Sequence, residues 1–206
     1  MMIDGFIKLG CFLVFILSVN YTYSQSRLSN PSFEDEKADA TMPSGWWSCQ
    51  KGTTPDILPD SWGVYNLPKD GQTYVGIITR EDGSYEAIGQ RLDAALKKGQ
   101  CYEMTLYIAH SGVYAGYDTP IRLSIYLGQK KCERDQLVFR TERIKKEPWQ
   151  LQEISFTPDK DMYYITLMAD DDGKNINGNI LIDNISEIVK CKRANITDHS
   201  SSSSKL

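Results

Sequence analysis

The sequence predicts an all-β domain folded as an antiparallel sandwich or barrel. Three observations carry this prediction: apolar and polar residues alternate with a period of two, turn-forming clusters recur at short intervals, and helical periodicity is almost absent between Asn30 and Ile188. Alternation places successive side chains on opposite faces of a strand, so each run offers one face to a core. Many short strands with regular turns are typical of antiparallel sandwiches and barrels.

Individual strands follow from the same pattern. Alternation is clearest in residues 102–108, 121–127 and 163–169, where every second position is apolar or aromatic. One short helix is predicted at residues 92–98, and Gly99 is placed to end it as a left-handed cap. Less regular runs bounded by turn residues predict further strands at 72–78, 85–92, 136–141, 150–157 and 179–188.

The first 24 residues have the pattern of a cleavable secretion signal. Lys8 supplies a positive charge before an apolar run at residues 9–19, which is shorter than the about 20 apolar residues of a membrane-spanning helix. Thr22 and Ser24 are small residues two positions apart, which predicts cleavage after Ser24. An uncleaved N-terminal anchor is the alternative. Since no second apolar stretch of spanning length follows, we expect a secreted or cell-surface protein without a membrane span after cleavage.

The chain that remains is long enough for one domain and a tail. Residues 25–191 suffice for a single core, and residues 192–206 are polar, end in a serine run and are predicted to be disordered. The formal net charge is −4, with both signs interspersed. Because nucleic-acid binding calls for a basic stripe, this charge pattern argues against a nucleic-acid partner.

Four cysteines follow the predicted cleavage site. An even number in an exported chain predicts two disulfides, and three connectivities are open. Their wide separations are unlike the closely spaced ligand pairs of zinc sites. The four are Cys49, Cys101, Cys132 and Cys191.

Three separated motifs lie in a fixed order along the chain. Residues 30–34 (NPSFE) are followed by Gly45-Trp46, residues 96–102 (LKKGQCY) open an alternating strand, and residues 180–186 (ILIDNIS) close the domain. Together they resemble the jelly roll of carbohydrate-binding modules, with its galactose-binding-domain-like fold. Further stretches resemble uncharacterised secreted or surface proteins of Bacteroidetes: residues 54–57, 63–64 and 70–76.

The resemblance implies a β-sandwich jelly roll with its first and last strands adjacent. Glu34 and Asp183 would then meet, and similar proteins often hold a structural Ca²⁺ there, a hard cation that takes oxygen ligands. The alternative is that Glu34 is a solvated charge and Asp183 hydrogen-bonds a turn. The resemblance also implies the disulfide pairing Cys101–Cys191 and Cys49–Cys132.

Catalysis has little support in the sequence. A nucleophile needs a neighbouring base, yet His110 lies beside no G-x-S-x-G elbow. We expect His110 to be a partly exposed polar residue at a strand end. Glycosidase chemistry needs just two carboxylates across a cleft, so a carbohydrate-active hydrolase stays an alternative.

Sugar binding has better support, because aromatic residues fall where loops are predicted. Exposed rings stack on the apolar faces of sugar rings, while nearby polar groups bond the hydroxyls. Trp46 and Trp149 are expected in the core or at a sheet edge. The sequence therefore predicts a non-catalytic extracellular carbohydrate-binding module; the other alternative is a structural or adhesion domain that binds cell-surface proteins. The candidate ligand-binding residues are Trp62, Tyr65, Tyr114, Tyr117 and Asp118.

Overall fold

A computed structural model describes residues 25–192. The predicted signal at residues 1–24 and the tail from residue 193 lie outside the described residues. Within them the chain is all-β, and no helix there is long and apolar enough to cross a membrane. The strands are β1 Trp47–Ser48, β2 Asp56–Leu58, β3 Tyr74–Thr79, β4 Ala87–Leu96, β5 Tyr102–Ala109, β6 Thr119–Pro120, β7 Arg122–Gly128, β8 Gln136–Arg140, β9 Gln150–Phe156, β10 Met162–Asp170, β11 Gly178–Asp183 and β12 Val189–Lys190.

The strands form two sheets, which confirms the predicted sandwich. The five-stranded sheet has the order β1-β4-β10-β7-β8, and all its neighbours are antiparallel. The seven-stranded sheet has the order β12-β5-β11-β3-β2, with β9 paired to β5 and β6 paired to β11. All of its pairs are antiparallel except the short β6–β11 pair.

The main core lies between the two sheets and follows the period of two. In each long strand, alternate apolar side chains are buried in this core, because a strand turns every second residue toward the same face. The alternation read from the sequence therefore marks the core directly. Members of the core from four strands are Val75 and Ile77, Leu123 and Ile125, Ile165 and Leu167, and Ile180 and Ile182.

The two ends of the domain lie side by side. Ser26 and Ile188 exchange both backbone hydrogen bonds, each 2.8 Å long. Phe33 is fully buried, and its ring centroid lies 5.2 Å from that of Trp46, so Trp46 belongs to the core as expected. The first segment meets the last as the jelly roll requires, although its contact at Ser26 is an isolated bridge and not a full strand.

Two disulfides fasten the sandwich. Cys49 pairs with Cys132, with Cα atoms 5.2 Å apart, and Cys101 pairs with Cys191, with Cα atoms 5.4 Å apart. This is the pairing that the resemblance implies. The second disulfide joins the start of β5 to the residue that follows β12.

The predicted helix at residues 92–98 is wrong. β4 continues to Leu96, and Leu92 and Leu96 are both buried in the main core. Their spacing of four suits one face of a helix and one face of a strand equally, and pairing with β10 decides for the strand. The pairing slips between Tyr164 and Met162, so the extra residues of β4 are accommodated as an irregularity. Gly99 does have a left-handed φ of 72°, but it follows a strand.

Candidate functional site

The candidate site lies on the outer face of the seven-stranded sheet, over β2 and β3. Residues of these strands that alternate with the core-facing ones, such as Leu58, Tyr74 and Ile78, point away from the main core. They are nevertheless buried, because two loops fold over them: the 59–67 loop and the 111–118 loop. The loops and strands share a second apolar cluster: Leu58, Val64, Tyr74, Ile78, Ala109, Tyr114 and Leu181, with Tyr117 and Trp149 partly buried against it.

A pocket of about 300 Å³ opens between this cluster and the two loops. We call it the Trp62 pocket. It brings together three of the five residues predicted to bind ligand: Trp62, Tyr114 and Tyr117. Its lining is Ala40, Thr54, Asp56, Trp62, Ile78, Arg80, Glu86, Tyr114, Ala115 and Tyr117.

Trp62 forms the exposed wall of the pocket. Its side chain is 50% exposed, and its backbone has a φ of 55°, a region that a bulky residue rarely adopts. Such a conformation costs on the order of 1 kcal/mol or more and persists where the surroundings fix it. Here a tight turn fixes it, since Val64 N donates to Ser61 O and Asp60 N donates to Val64 O, both at 2.9 Å.

Tyr114 is the floor of the pocket and not its rim, which corrects the prediction of an exposed ring. It is 1% exposed, and its hydroxyl donates to Asp56 Oδ2 at 2.5 Å. The ring lies over Gly76, where a Cβ would come within 2.6 Å of the tyrosine oxygen. Burial, with Asp56 beside the hydroxyl, raises the pKa of Tyr114.

Asp118 holds the 111–118 loop in place and does not line the pocket. Its Oδ1 accepts a hydrogen bond from Tyr114 N at 2.5 Å. Asn179, fully buried on β11, holds the same loop through Nδ2, which donates to Ser111 O at 2.8 Å and to Tyr117 O at 2.7 Å. The half-buried Tyr117 is thereby fixed at the pocket wall.

Tyr65 points into a separate depression. It is 72% exposed and lines a hollow of about 280 Å³ on the other side of the 59–67 loop. Leu67 and Val113 are also exposed large apolar residues of the two loops. The hollow is lined by Gly63, Tyr65, Asn66, Ser111, Gly112, Val113 and Glu147.

The sequence did not indicate the three charged residues that line the pocket, Asp56, Arg80 and Glu86. Glu86 is 2% exposed; its Oε1 lies 2.7 Å from Arg80 Nη2, and its Oε2 accepts from Ile78 N at 3.1 Å. Burial raises the pKa of Glu86 to about 7, and the opposing effect of Arg80 does not cancel it. Asp56 is buried as well, and its Oδ1 accepts from Ala40 N at 2.6 Å. Asp56 interrupts an otherwise apolar stretch at residues 55–58, which is a weak sign of a functional acid. No local pattern singles out Glu86.

Arg80 has one nitrogen that is left unpaired. Its Nη1 is buried and has no hydrogen-bond partner within residues 25–192. The guanidinium carbon lies 5.8 Å from the centroid of the Tyr117 ring. Arg80 is thus held between Glu86 and Tyr117, with Nη1 enclosed by protein atoms.

Glu34 and Asp183 both bind the loop of residues 69–73. Asp183 is fully buried; its Oδ2 accepts from Lys69 N at 2.8 Å and from Asp70 N at 3.0 Å. Glu34 Oε2 accepts from Gln72 N at 2.9 Å. The two acids therefore meet at one loop, as the fold requires.

These contacts do not fit a bound Ca²⁺. The two oxygens of Asp183 accept three backbone hydrogen bonds, since Oδ1 takes Asn184 N at 2.7 Å, and Oδ1 also lies 3.0 Å from Ser32 Oγ. Donor hydrogens thus occupy the lone pairs that a cation needs. Between residues 25 and 192 no group of three or more acidic, histidine or cysteine side chains is arranged to hold a metal. The calcium ion stays a prediction without support from this donor set.

His110 is buried, which corrects the prediction of partial exposure. Its Nδ1 lies 3.4 Å from Asn179 O. The neighbouring Ser111 uses its hydroxyl to donate to Val113 O at 2.7 Å. Both residues therefore hold the base of the 111–118 loop in place.

Trp149 lies at the sheet edge as expected, with its ring edge-on to Tyr74 and the two ring centroids 5.2 Å apart.

Solved structures similar to this one have different functions. No protein-family model and no curated protein matches the chain. The CBM22-1 xylan-binding domain of Paenibacillus barcinonensis Xyn10C has a TM-score of 0.52 at 13% identity, over 79% of this chain and 93% of that one. A Stig cyclase from Fischerella sp. TAU has a TM-score of 0.56 at 15% identity, over 82% and 98%. The K2 cleaved adhesin domain of Lys-gingipain has a TM-score of 0.50 at 11% identity, over 79% and 96%. At such identities the likeness shows the β-sandwich fold alone.

Proposed function

We propose that this domain is a non-catalytic extracellular carbohydrate-binding module and that the Trp62 pocket binds the sugar. One observation carries the proposal: an indole ring that is 50% exposed stands beside Tyr117 over a recess with a fixed polar floor. An exposed ring next to a second ring at a recess can stack on the apolar face of a sugar. The likeness to a xylan-binding domain adds support at the level of fold.

The pocket meets the two requirements of a sugar site. The rings of Trp62 and Tyr117 supply apolar area at low cost in side-chain entropy. The polar floor is rigid, because Arg80 and Glu86 are ion-paired and Asp56 is bonded to Tyr114. A pre-ordered floor lowers the entropy lost on binding. The two disulfides agree with a location outside the cell, where such bonds persist.

Adhesion to a cell-surface protein is the second candidate, and the exposed loop residues favour it. Tyr65, Leu67 and Val113 are exposed apolar side chains on two touching loops. Three neighbouring exposed apolar side chains suit a protein partner, since apolar patches on a protein surface often mark protein–protein contacts. Both functions place the contact on the same two loops, so variants on either side of Trp62 separate them.

A hydrolase would use the carboxylates of the floor. Asp56 pairs with Gly76, and Glu86 N donates to Ile78 O. The backbones of the two acids are therefore attached to β3 two residues apart, a spacing of about 7 Å along the strand. Each of their four oxygens, however, already accepts a hydrogen bond. These bonds tie both acids to protein groups, which favours a structural role for the pair over acid–base chemistry on a bound glycoside.

The test is a glycan-array screen of the purified full-length protein, followed by calorimetric titration of the best ligand. We expect binding that Trp62→Ala and Tyr117→Ala each weaken by about tenfold or more. Tyr65→Ala is the matched control, because it removes an even more exposed ring that lies outside the pocket. No glycan bound, or loss with Tyr65→Ala alone, would overturn the proposal, and the second outcome would point to the adhesion patch. Release of reducing sugar from a bound oligosaccharide would show a hydrolase.

A further inference from the structure

We infer that β9 is a docking edge for an extended protein segment with a basic residue, which joins the seven-stranded sheet as an added strand. No residue of β9 lines the Trp62 pocket, so this inference does not rest on the proposed function. Three observations carry it: a long regular sheet edge, residues whose backbone groups point out of that edge, and uncompensated negative charge beside it.

β9 is the longest of the strands that end the two sheets. Its seven residues, Gln150–Phe156, pair with β5 in one unbroken register, and no other strand of the described chain pairs with them. The other end strands are poorer templates: β1 has two residues, β2 has three, and the pairing of β8 is interrupted by a register shift. Proteins often protect an edge with proline, lysine or a bulge, and β9 has none of these.

The register identifies the residues whose backbone groups point out of the edge. In an antiparallel pair, alternate residues direct both backbone groups away from the partner strand. Thr105 N donates to Ser186 Oγ and Thr105 O accepts from Ser186 N, each at 2.8 Å, so Thr105 faces away from its β9 partner, Glu153. Glu153 therefore also faces away from β5, and so do Leu151 and Ser155.

These outward backbone groups are available to an added strand. Within residues 25–192, the backbone hydrogen bonds outside the β5–β9 ladder include none from Leu151, Glu153 or Ser155. Leu151 O accepts from the side chain of Gln152 at 3.1 Å, a contact that a partner N–H can replace. All three residues are exposed. Main-chain bonds to such an edge supply affinity in strand addition, and alternate side chains supply specificity.

The charge beside the edge favours a basic partner. A groove of about 630 Å³ along β5 and β9 has Glu103, Glu153 and Glu187 in its lining and no basic residue. Glu187 is ion-paired with Arg27, whereas Glu103 and Glu153 form no ion pair among residues 25–192. An opposite charge directly across from Glu153 stabilises an added strand.

A second copy of this chain fits the edge less well. Antiparallel pairing of β9 with its own copy, in the register that uses all three outward residues, places Glu153 opposite Glu153. Like charges directly opposite each other are destabilising. The edge instead suits a foreign strand with a lysine or arginine opposite Glu153 and, two positions later, an apolar residue opposite Leu151.

The test is a titration of the isotope-labelled full-length protein with two capped peptides, followed by amide NMR. The peptides are Thr-Thr-Thr-Lys-Thr-Val-Thr and the same sequence with glutamate in place of lysine. We expect the lysine peptide to bind about fivefold or more tightly and to shift the amides of Leu151, Glu153 and Ser155 most. No binding at millimolar lysine peptide, or equal affinity for both peptides, would overturn the inference. Self-association that Ser155→Pro abolishes would overturn the choice of partner and assign the edge to a second copy.

Ser155→Pro and Ser155→Ala are the matched variants. Proline removes the outward N–H and leaves the ladder with β5 intact, because proline is tolerated where the N–H faces away from the sheet; alanine keeps the N–H. Peptide binding should be lost with proline and kept with alanine, and Glu153→Lys should reverse the preference between the two peptides. Equal binding by the proline and alanine variants would show that the peptide does not use the backbone of β9. If the proline variant fails to fold, Glu153→Lys and the two peptides still decide.

Discussion

The two outer faces of the sandwich are covered in different ways. Over the seven-stranded sheet, the cover consists of two loops held by hydrogen bonds from Asp118 and Asn179, and it leaves a recess. Over the five-stranded sheet, the cover is the segment of residues 129–135, held by the Cys49–Cys132 disulfide. Arg134 of this segment reaches Met168 Sδ at 3.0 Å and Thr166 is buried, and a hollow of about 470 Å³ lies beside the disulfide, lined by residues 48–54 and Cys132.

On the two outer faces, the pKa of a buried acid is shifted in opposite directions. Burial raises the pKa of Asp170, but hydrogen bonds from Arg140 and Ser124 outweigh it, so the net shift is downward. Under the two loops over the seven-stranded sheet, burial outweighs the hydrogen bonds to Glu86 and raises its pKa to about 7. Among residues 25–192 each sheet holds a buried nitrogen without a hydrogen-bond partner, Trp47 Nε1 in one and Arg80 Nη1 in the other, so the two faces differ in how strongly their acids are stabilised as carboxylates. Function on this fold follows from how a loop covers a sheet, and not from the sheets themselves.

Breaking the Cys49–Cys132 disulfide should have the largest effect on stability. The double variant Cys49→Ala/Cys132→Ala removes a crosslink between residues 83 apart in sequence, and a loop of this size predicts a loss of about 4 kcal/mol in the free energy of unfolding. Urea unfolding followed by tryptophan fluorescence measures it. Sugar binding should persist in the folded variant, because neither cysteine lines the Trp62 pocket. Loss of binding without loss of stability would contradict the separation of the two faces.

The raised pKa of Glu86 predicts a pH dependence of stability. Because its folded pKa of about 7 exceeds the ordinary value of 4.5 for a glutamate, the folded state binds more protons, and stability falls as pH rises between these values. Asp183 acts in the same direction, since burial raises its pKa to about 6. We expect a loss on the order of 2 kcal/mol from pH 5 to pH 8.

Glu86→Gln separates the two acids. Thermal melts of this variant should keep the part of the slope that Asp183 causes, below about pH 6, and lose the part near pH 7. A slope near pH 7 identical to that of the unmodified protein would assign the effect to another group.

Removing the hydroxyl of Tyr114 should destabilise the 111–118 loop. Tyr114→Phe leaves Asp56 Oδ2 without its donor, and a buried carboxylate oxygen without a partner costs about 1–2 kcal/mol. Tyr65→Phe is the matched control; its ring is 72% exposed, and the change should be near zero. Chemical denaturation of both variants measures the difference, and equal values would show that the bond to Asp56 does not anchor the loop.

The smallest effect is expected from the backbone of Trp62. Glycine adopts its φ of 55° without strain, so Trp62→Gly should be more stable than Trp62→Ala by about 0.5–1 kcal/mol. Both variants lack the indole and should lose sugar binding alike. A glycine variant less stable than the alanine variant would mean that the turn does not fix this conformation.

The sequence predicts the sheets well and the site in part, for physical reasons that particular residues show. Alternation in β7 and β10 gives their core faces directly, because the period of a strand is local. The leucines at 92 and 96 fit a helix or a strand, and only pairing with β10 decides between them. The disulfide pairing follows from a resemblance and not from the spacing of the cysteines.

The site shows the same division. Trp62 and Tyr114 are both aromatic residues of predicted loops, and nothing local tells the exposed ring from the buried one. Tyr114 is buried because Gly76, far along the chain, leaves room for it and Asp56 bonds its hydroxyl. Glu86 enters the pocket by the way β4 approaches β3, which no local pattern encodes.

The Cys101–Cys191 disulfide also determines how the domain bears a mechanical load. β12 is two residues long and pairs with β5 through Val189 and Lys190 alone, so without a crosslink a pull on the chain at Lys192 would peel it away. The disulfide passes that force at Cys191 directly to the start of β5, a strand bonded to neighbours on both sides. Tension from a tether or a neighbouring domain would therefore shear the middle of a sheet and not unzip its edge.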